Sequence, residues 1–166
     1  MRQYIMVILL LSFSLTTSAQ NLMLENEISI FNFKTKKGKI VSLSKDKNDE
    51  YIIYRYGTEQ NIELEFPEKN NESWTKFKFN SLSKHGGKEN SGMEICNVMF
   101  ENENSQYIIS TSRYGDDDSA KPGLYVINLN SKKVIKISGV NDSQEGYLCN
   151  FKYNNLLTFG DFDLYE

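Results

Sequence analysis

The hexapeptide Asn61-Ile62-Glu63-Leu64-Glu65-Phe66 decides the fold class of this chain. Ile62, Leu64 and Phe66 alternate with two glutamates, so one face of the segment is apolar and the other is charged. An antiparallel strand has this period of two when one face packs in a core and the other meets water. Residues 75–79 repeat the pattern with lysines in place of the glutamates. The sequence therefore predicts half-buried strands.

Other segments rich in β-branched and aromatic residues follow one another at short intervals. They are residues 28–33, 40–43, 51–56, 95–100, 107–112, 124–129 and 133–137. Turn-forming residues at 36–39, 102–105 and 130–131 fit tight hairpins, and we expect Pro67 and Pro122 at strand boundaries. Residues 142–152 have room for a turn or two of helix. The pattern predicts an all-β domain of about eight to nine short antiparallel strands in a meander, closed as a barrel or folded as a sandwich.

The first nineteen residues have the layout of a secretory signal peptide. Arg2 gives a positive start, residues 5–11 form an unbroken apolar run, and Thr17-Ser18-Ala19 offers a cleavage site of small residues. The run is too short to span a bilayer, which takes roughly 20 residues. We therefore predict a signal peptide at 1–19 and a single exported β-domain at 20–166, periplasmic or secreted, with no membrane span after signal removal.

The charge balance narrows the classes of partner. Removal of residues 1–19 takes away Arg2 alone, which leaves 18 basic and 22 acidic residues and a net charge of about −4. This balance gives no basic footprint for nucleic acid. We therefore expect no nucleic-acid partner.

Two cysteines, Cys96 and Cys149, lie in the predicted exported part. In an oxidising compartment an even pair indicates a disulfide. Both cysteines also follow apolar residues, so two buried free thiols are the alternative. The distance between the two cysteines decides between the readings.

Three elements of the chain resemble those of a group of small exported bacterial proteins. The elements are Lys37-Gly38-Lys39-Ile40-Val41-Ser42-Leu43, Tyr51-Ile52-Ile53-Tyr54-Arg55-Tyr56-Gly57 and Ile62-Glu63-Leu64-Glu65-Phe66-Pro67. The group is similar in its GK-VSL(C), Y(R)(Y/F)G and IEL-(F/Y)P motifs, followed by a Gly-rich loop and a Tyr-rich strand. The resemblance covers about residues 31–137 and implies an exported structural scaffold without an assigned activity. Ser44 stands where the group tends to have Cys, so the group's disulfide scheme does not transfer.

No catalytic residue is predicted. His85 is the single histidine, and no Gly-x-Ser-x-Gly element accompanies it. Glu63 and Glu65 lie roughly 7 Å apart on one strand face, a spacing that fits an inverting glycosidase, although strand alternation alone produces it. A cell-wall-directed hydrolase with an unconventional carboxylate or thiol site is therefore the enzymatic alternative.

We expect no cofactor and no metal. Asp116, Asp117 and Asp118 form a dense carboxylate run, and Asp116 and Asp118 are the candidates for a weak calcium site. A calcium loop spaces its ligands around a glycine at the sharp turn, whereas Gly115 precedes this run. The run is typical of a solvated hairpin tip.

Aromatic residues make up 13% of the chain, which favours a binding surface. Tyr, Trp and Arg are enriched at interface hot spots, although strands also use aromatics to fill a core. We predict a non-enzymatic binder of an envelope or secreted protein or of a glycan, similar in character to inhibitors and immunity proteins. A structural envelope component is the third alternative. The candidate binding residues are Tyr54, Tyr56, Trp74, His85, Tyr107 and Tyr114.

Overall fold

The computed structural model describes residues 22–86, 92–115 and 117–161, with the backbone alone for Asp117 and Asp118. The predicted signal peptide lies outside the described residues. The strands are β1 Glu27–Lys34, β2 Ile40–Asp46, β3 Ile52–Thr58, β4 Asn61–Phe66, β5 Phe77–Lys84, β6 Met93–Asn102, β7 Ser105–Tyr114, β8 Asp117–Asn128, β9 Val134–Ser138, β10 Glu145–Gly146 and β11 Thr158–Phe159.

The strands form two sheets that face each other. The five-stranded sheet has the order β10-β1-β2-β3-β4, and the six-stranded sheet has the order β11-β5-β6-β7-β8-β9. Within β1–β4 and within β5–β9, each strand pairs antiparallel with the next along the chain. The predicted all-β meander is therefore confirmed as a sandwich of two meanders, and in the described part the sheets do not close into one barrel.

The C-terminal segment adds what the strand pattern missed. Strand β10 extends the five-stranded sheet beside β1, and β11 pairs with β5 of the other sheet in parallel. Between them lies a 3₁₀ helix, η2, at Leu148–Tyr153; another, η1, lies at Asn71–Lys76. This segment therefore pairs with both sheets. Among the described residues, no helix is long and apolar enough to cross a bilayer.

Alternation of side chains explains how the core forms. Phe31, Phe33 and Leu43 of the five-stranded sheet face inward and are fully buried, as are Phe77 and Phe100 of the six-stranded sheet. Each such side chain contributes about 1.5–3 kcal/mol when it leaves water. Aromatic side chains therefore dominate the layer between the sheets.

Tyr54 belongs to this layer and not to the surface. Its side chain is fully buried, with ring centroids 4.8 Å from Phe100 and 6.3 Å from Tyr107. Its pKa lies well above 10 because burial disfavours the charged phenolate. Because the side chain lies in the core, Tyr54 presents no surface to a partner in this structure. Tyr54 lies on the inward face of β3 with Ile52.

Replacement of Tyr54 by Phe is expected to keep or raise stability. The Tyr54 hydroxyl has no hydrogen-bond partner among the described residues, and a buried polar group without a partner costs about 1–3 kcal/mol. Phe keeps the ring contacts and removes that group. The midpoint of urea unfolding for Tyr54→Phe should equal or exceed that of the wild type. A midpoint lowered by the equivalent of 1 kcal/mol or more would show that the hydroxyl is hydrogen-bonded in solution.

Candidate functional site

A disulfide fixes the C-terminal segment to the six-stranded sheet. Cys96 on β6 and Cys149 in η2 are bonded, with Cα atoms 5.3 Å apart, and both are buried. The predicted disulfide is confirmed, and the alternative of two free thiols is wrong. The chain has no other cysteine. A thiol site therefore has no residue to carry it while the bond is intact.

Near this bond, three neighbouring strands present one row of polar side chains. Ser83 on β5 and Arg113 on β7 lie directly opposite Glu94 on β6, on either side of it. Residues opposite one another on adjacent strands point to the same face of the sheet. Lys152 of η2 reaches this row, and its Nζ donates to Glu94 Oε1 at 2.7 Å and to Ser83 Oγ at 2.8 Å.

Glu94 is held as a carboxylate. Hydrogen bonds from Lys152 and from the Tyr147 hydroxyl lower its pKa below 4.5. The same carboxylate raises the pKa of Tyr147 above 10, and the Arg113 guanidinium lies over the Tyr147 ring, 5.7 Å from its centroid. A general acid needs a raised pKa. Glu94 therefore positions cations in this cluster and does not store a proton.

Around this cluster lies an open cleft of about 490 Å³, which we call the Glu94 cleft. Lys84, Arg113 and Lys152 carry positive charge in it, against the single described carboxylate of Glu94. Tyr153 of η2 stands at its edge with 85% of its surface exposed. The remaining lining residues are Ser83, His85, Gly92, Met93, Tyr114 and Gly115. Among the described residues, the cleft thus combines excess positive charge with exposed aromatic surface.

Two predicted binding residues come together in this cleft. His85 follows the end of β5, and Tyr114 ends β7 with 41% of its surface exposed. Both line the Glu94 cleft although 29 positions separate them in sequence. In the meander, the ends of β5 and β7 lie on either side of the start of β6, where Lys84 and Tyr114 are both cross-strand partners of Met93, and this explains the meeting.

Three other predicted binding residues lie elsewhere. Tyr56 on β3 is half-buried against the core, and the Lys39 amine lies 5.1 Å from its ring centroid. Tyr107 stacks on Phe100 with centroids 4.8 Å apart. Trp74 is half-buried in η1 and donates its ring N–H to the Asp49 carbonyl. These aromatics pack against the core, so they do not form a shared surface with His85 and Tyr114.

The carboxylates of the hydrolase alternative do not converge with His85. Glu63 pairs with Lys39 at 2.6 Å, and Glu65 accepts a hydrogen bond from the buried Arg55 at 2.6 Å. Glu65 lines a separate cleft at Pro67 and η1, whereas His85 lines the Glu94 cleft. The described groups therefore form no acid–base pair across a common cleft.

Asp116 and Asp118 are the candidates for a weak calcium site. Asp116 lies outside the described residues, and the side chain of Asp118 does as well. Elsewhere in the described part, Glu94, Cys96 and Cys149 place possible metal ligand atoms within 4.8 Å of one another. Both sulfurs are bonded to each other, so neither offers the thiolate that a metal needs.

The strand pattern alone does not reveal Lys152 and Tyr153. Both lie in an irregular C-terminal segment whose position depends on the disulfide. Arg113 could have been predicted as a binding residue from sequence. It precedes Tyr114 at the end of a predicted strand, and Arg and Tyr are both enriched at binding hot spots. The predicted Cys96–Cys149 bond was a further signal, because it brings the residues around Cys149, now seen as η2, close to Glu94, two residues before Cys96.

Comparison of the chain with protein-family models, with curated proteins and with solved structures finds no match in any of the three. Function must therefore be argued from the chemistry of the clefts themselves.

Proposed function

We propose that the chain is an exported, non-enzymatic binding domain that recognises an envelope or secreted protein, or a glycan, through the Glu94 cleft. The domain acts in the periplasm or outside the cell, in the manner of a small inhibitor or immunity protein. The predicted signal peptide and the buried disulfide support this location, since disulfides persist in oxidising compartments.

One observation carries the proposal: Arg113, Lys152 and Tyr153 meet in one open cleft. Arg and Tyr are among the side chains that dominate interface energetics, and Tyr153 is exposed over 85% of its surface. A soluble monomer gains little from leaving so large an aromatic side chain in water. The excess positive charge suits a partner that presents a carboxylate or another anionic group.

The charge state of the cleft favours binding over catalysis. Glu94 has a lowered pKa and accepts hydrogen bonds on both carboxylate oxygens, so it is neither a proton donor nor a free base at neutral pH. Its role is to hold Lys152 in place. The cleft then offers a fixed pattern of charge and aromatic surface to a partner.

The Tyr153→Ser variant tests this proposal. The wild-type protein, immobilised, is used to capture partners from envelope extract, and each captured partner is purified and titrated calorimetrically. Tyr153→Ser should weaken the affinity by tenfold or more, because hot-spot truncation costs about 2 kcal/mol or more. Its unfolding temperature should stay unchanged, since the side chain is mostly exposed.

Phe159→Ser is the matched control, because Phe159 is also aromatic and 68% exposed but lies on β11 outside the Glu94 cleft. Affinity should stay at the wild-type value in this variant. Equal affinities for Tyr153→Ser and the wild type would contradict the assignment of the cleft. Turnover of a captured glycan or peptide by the wild-type protein would contradict the non-enzymatic role.

A further inference from the structure

A second depression lies on the outward face of the six-stranded sheet, centred on Gly123. Ser110 on β7 and Ser138 on β9 are the cross-strand partners of Gly123, one on each side. Adjacent strands lie about 4.8 Å apart, so the two serines stand roughly 10 Å from each other across a residue without a side chain. The missing side chain leaves a groove of about 330 Å³, which we call the Gly123 groove.

Aromatic rings and amines form the walls of this groove. Two positions along β8 from Gly123, on the same face, stand Lys121 in one direction and Tyr125 in the other. Lys136 on β9 is the cross-strand partner of Tyr125, and its amine lies 5.3 Å from the ring centroid. The Lys121 amine lies 5.6 Å from the Tyr114 ring, which is shared with the Glu94 cleft.

Hydroxyl groups form the floor. Ser110, Ser112 and Ser138 line the groove, and within the part of the chain that the structure describes none of their hydroxyls forms a hydrogen bond. A hydroxyl both donates and accepts, so the three can pair with the hydroxyl groups of a ligand. This floor is polar and adaptable, which suits a sugar better than an apolar molecule.

The described charged side chains that line the groove are all of one sign. Lys36, Lys121 and Lys136 contribute to it, and no described Asp or Glu side chain lines the groove. Neither Lys36 nor Lys136 forms an ion pair with a described carboxylate. In contrast, Glu65, Glu68 and Glu72 line the separate cleft at Pro67. Lys76 lines that cleft as well, so among the described residues acidic side chains predominate there and basic ones in the Gly123 groove.

We propose that the Gly123 groove binds an anionic sugar residue of an acidic polysaccharide. The serine hydroxyls pair with sugar hydroxyls, the Tyr125 ring packs against the apolar face of a sugar ring, and Lys36 and Lys136 hold its anionic group. The volume is at the small end of ligand sites, which suits one sugar unit of a longer chain that continues over the open surface. Of the described residues that line this groove, Tyr114 alone also lines the Glu94 cleft, and the contacts proposed here do not use it.

The amines of Lys36 and Lys136 could pair with either a carboxylate or a sulfate of the sugar. The test therefore uses one polysaccharide with each anionic group. Calorimetric titration of the wild-type protein with polygalacturonate, dextran sulfate and neutral dextran, in low salt, tests the groove directly. We expect one or both polyanions to bind, neutral dextran to remain at least tenfold weaker, and added salt to weaken binding because the contacts are charged. Equal binding of neutral dextran, or no binding of either polyanion, would overturn the proposal.

Gly123→Val is the decisive variant because it fills the groove without straining the backbone. A Cβ at Gly123 meets its nearest heavy atoms at 3.7 Å, an ordinary contact, and Val is favourable in a strand. We expect at least a tenfold loss of polyanion affinity with an unchanged or higher unfolding temperature. Affinity equal to the wild type in this folded variant would overturn the proposal.

Lys136→Gln and Lys78→Gln provide a matched pair that does not depend on repacking. Both lysines are exposed on the six-stranded sheet, but Lys78 on β5 does not line the groove. Lys136→Gln should lower polyanion affinity severalfold, and Lys78→Gln should leave it unchanged. Equal losses in the two variants would show that the polyanion responds only to the overall charge of the protein, which would overturn the site. Tyr153→Ser should keep polyanion affinity, so failure of this proposal and failure of the proposed partner site remain distinguishable.

Discussion

Replacement of Arg55 by Met is expected to lower the free energy of unfolding by about 3–5 kcal/mol, because it leaves a buried carboxylate without its partner. Arg55 on β3 is fully buried, and Glu27 on β1 is 2% exposed. The guanidinium donates from Nη1 to Glu27 Oε2 at 2.6 Å and from Nη2 to Oε1 at 2.7 Å. Native domains hold only about 5–15 kcal/mol in total, so this loss is a large share of the stability.

Further hydrogen bonds complete the Arg55 network. Arg55 Nη1 also donates to the Leu22 carbonyl at 3.0 Å, and Nε donates to Glu65 at 2.6 Å. The Tyr51 hydroxyl donates to Glu27 at 3.1 Å. The network ties the residues before β1 to the centre of the five-stranded sheet. Met fills much of the volume of the Arg stem but satisfies none of these acceptors.

Urea unfolding followed by tyrosine and tryptophan fluorescence measures the loss. Lys39→Met is the control: its ion pair with Glu63 is half-exposed, and such pairs contribute about 0–1 kcal/mol. The double replacement of Glu27 and Arg55 by Met should be less destabilising than Arg55→Met alone, since no buried charge is then left unpaired. A single variant within 1 kcal/mol of the wild type would contradict this account.

The Arg55 network should also make the free energy of unfolding depend on pH in the acidic range. Burial opposes the charge of Glu27, but hydrogen bonds from Arg55 and the Leu24 amide, with the guanidinium charge, outweigh it and lower the pKa of Glu27 below 4.5. A carboxylate with a lowered pKa in the folded state stabilises the protein above its unfolded pKa, and this contribution is lost as pH falls through the folded value. The Glu27→Gln variant should therefore lose less stability than the wild type between pH 5 and pH 3.

Alternation, together with β-branched and aromatic content, was sufficient to locate the nine longer strands and the all-β class, although the strand predicted at 75–79 begins at Phe77, after η1. The segment at 61–66 is β4, and the turns predicted at 36–39 and 102–105 connect β1 to β2 and β6 to β7. The pattern works because an inward residue in a two-layer sandwich must be apolar and its neighbours need not be. The strands β10 and β11 were not predicted, because a segment of two residues is too short to show an alternating pattern.

Pro122 shows where a local rule gave the wrong boundary. We expected it at a strand end, yet it lies inside β8 opposite Thr111. The Pro122 carbonyl accepts from Gly139 N at 2.9 Å on the β9 side, while pairing with β9 begins only at Gly123. The N–H that proline lacks would point to the same side, past the paired part of β9. Proline therefore forgoes at most one hydrogen bond, at the very end of the β8–β9 ladder, and is tolerated there.

Burial of polar residues set the limit for predicting the site. Arg55 and Tyr54 are adjacent in a strand and both are fully buried, on opposite faces of one sheet. The alternating pattern predicts that one of the two, Arg55, is exposed to water. It therefore cannot reveal that Arg55 is buried through hydrogen bonds to Glu27 and to the Leu22 carbonyl. The Glu94 cleft depends on η2, whose sequence has neither the helical nor the strand period. Contacts between distant segments decide both features.

Removal of the Cys96–Cys149 bond is the second large effect, and we expect it to lower the free energy of unfolding by about 4 kcal/mol. The bond closes a loop with a sequence separation of 53, and the entropy of such a loop in the unfolded chain gives this magnitude. The Cys96→Ala and Cys149→Ala double variant, compared with the wild type in urea, measures it. Reduction with dithiothreitol should destabilise the wild type and leave the double variant unchanged.

The same variant separates the two clefts. The bond holds η2 against β6, so its loss should free Lys152 and Tyr153 from the row around Glu94 and abolish partner binding there. The Gly123 groove is built from β7, β8 and β9, which no disulfide constrains, so polyanion affinity should persist wherever the double variant is still folded. Retained binding at the Glu94 cleft after loss of the bond would show that packing of Leu148 and Phe151, both buried in η2, is sufficient to position the segment. In that case the disulfide would stabilise the fold without shaping the cleft.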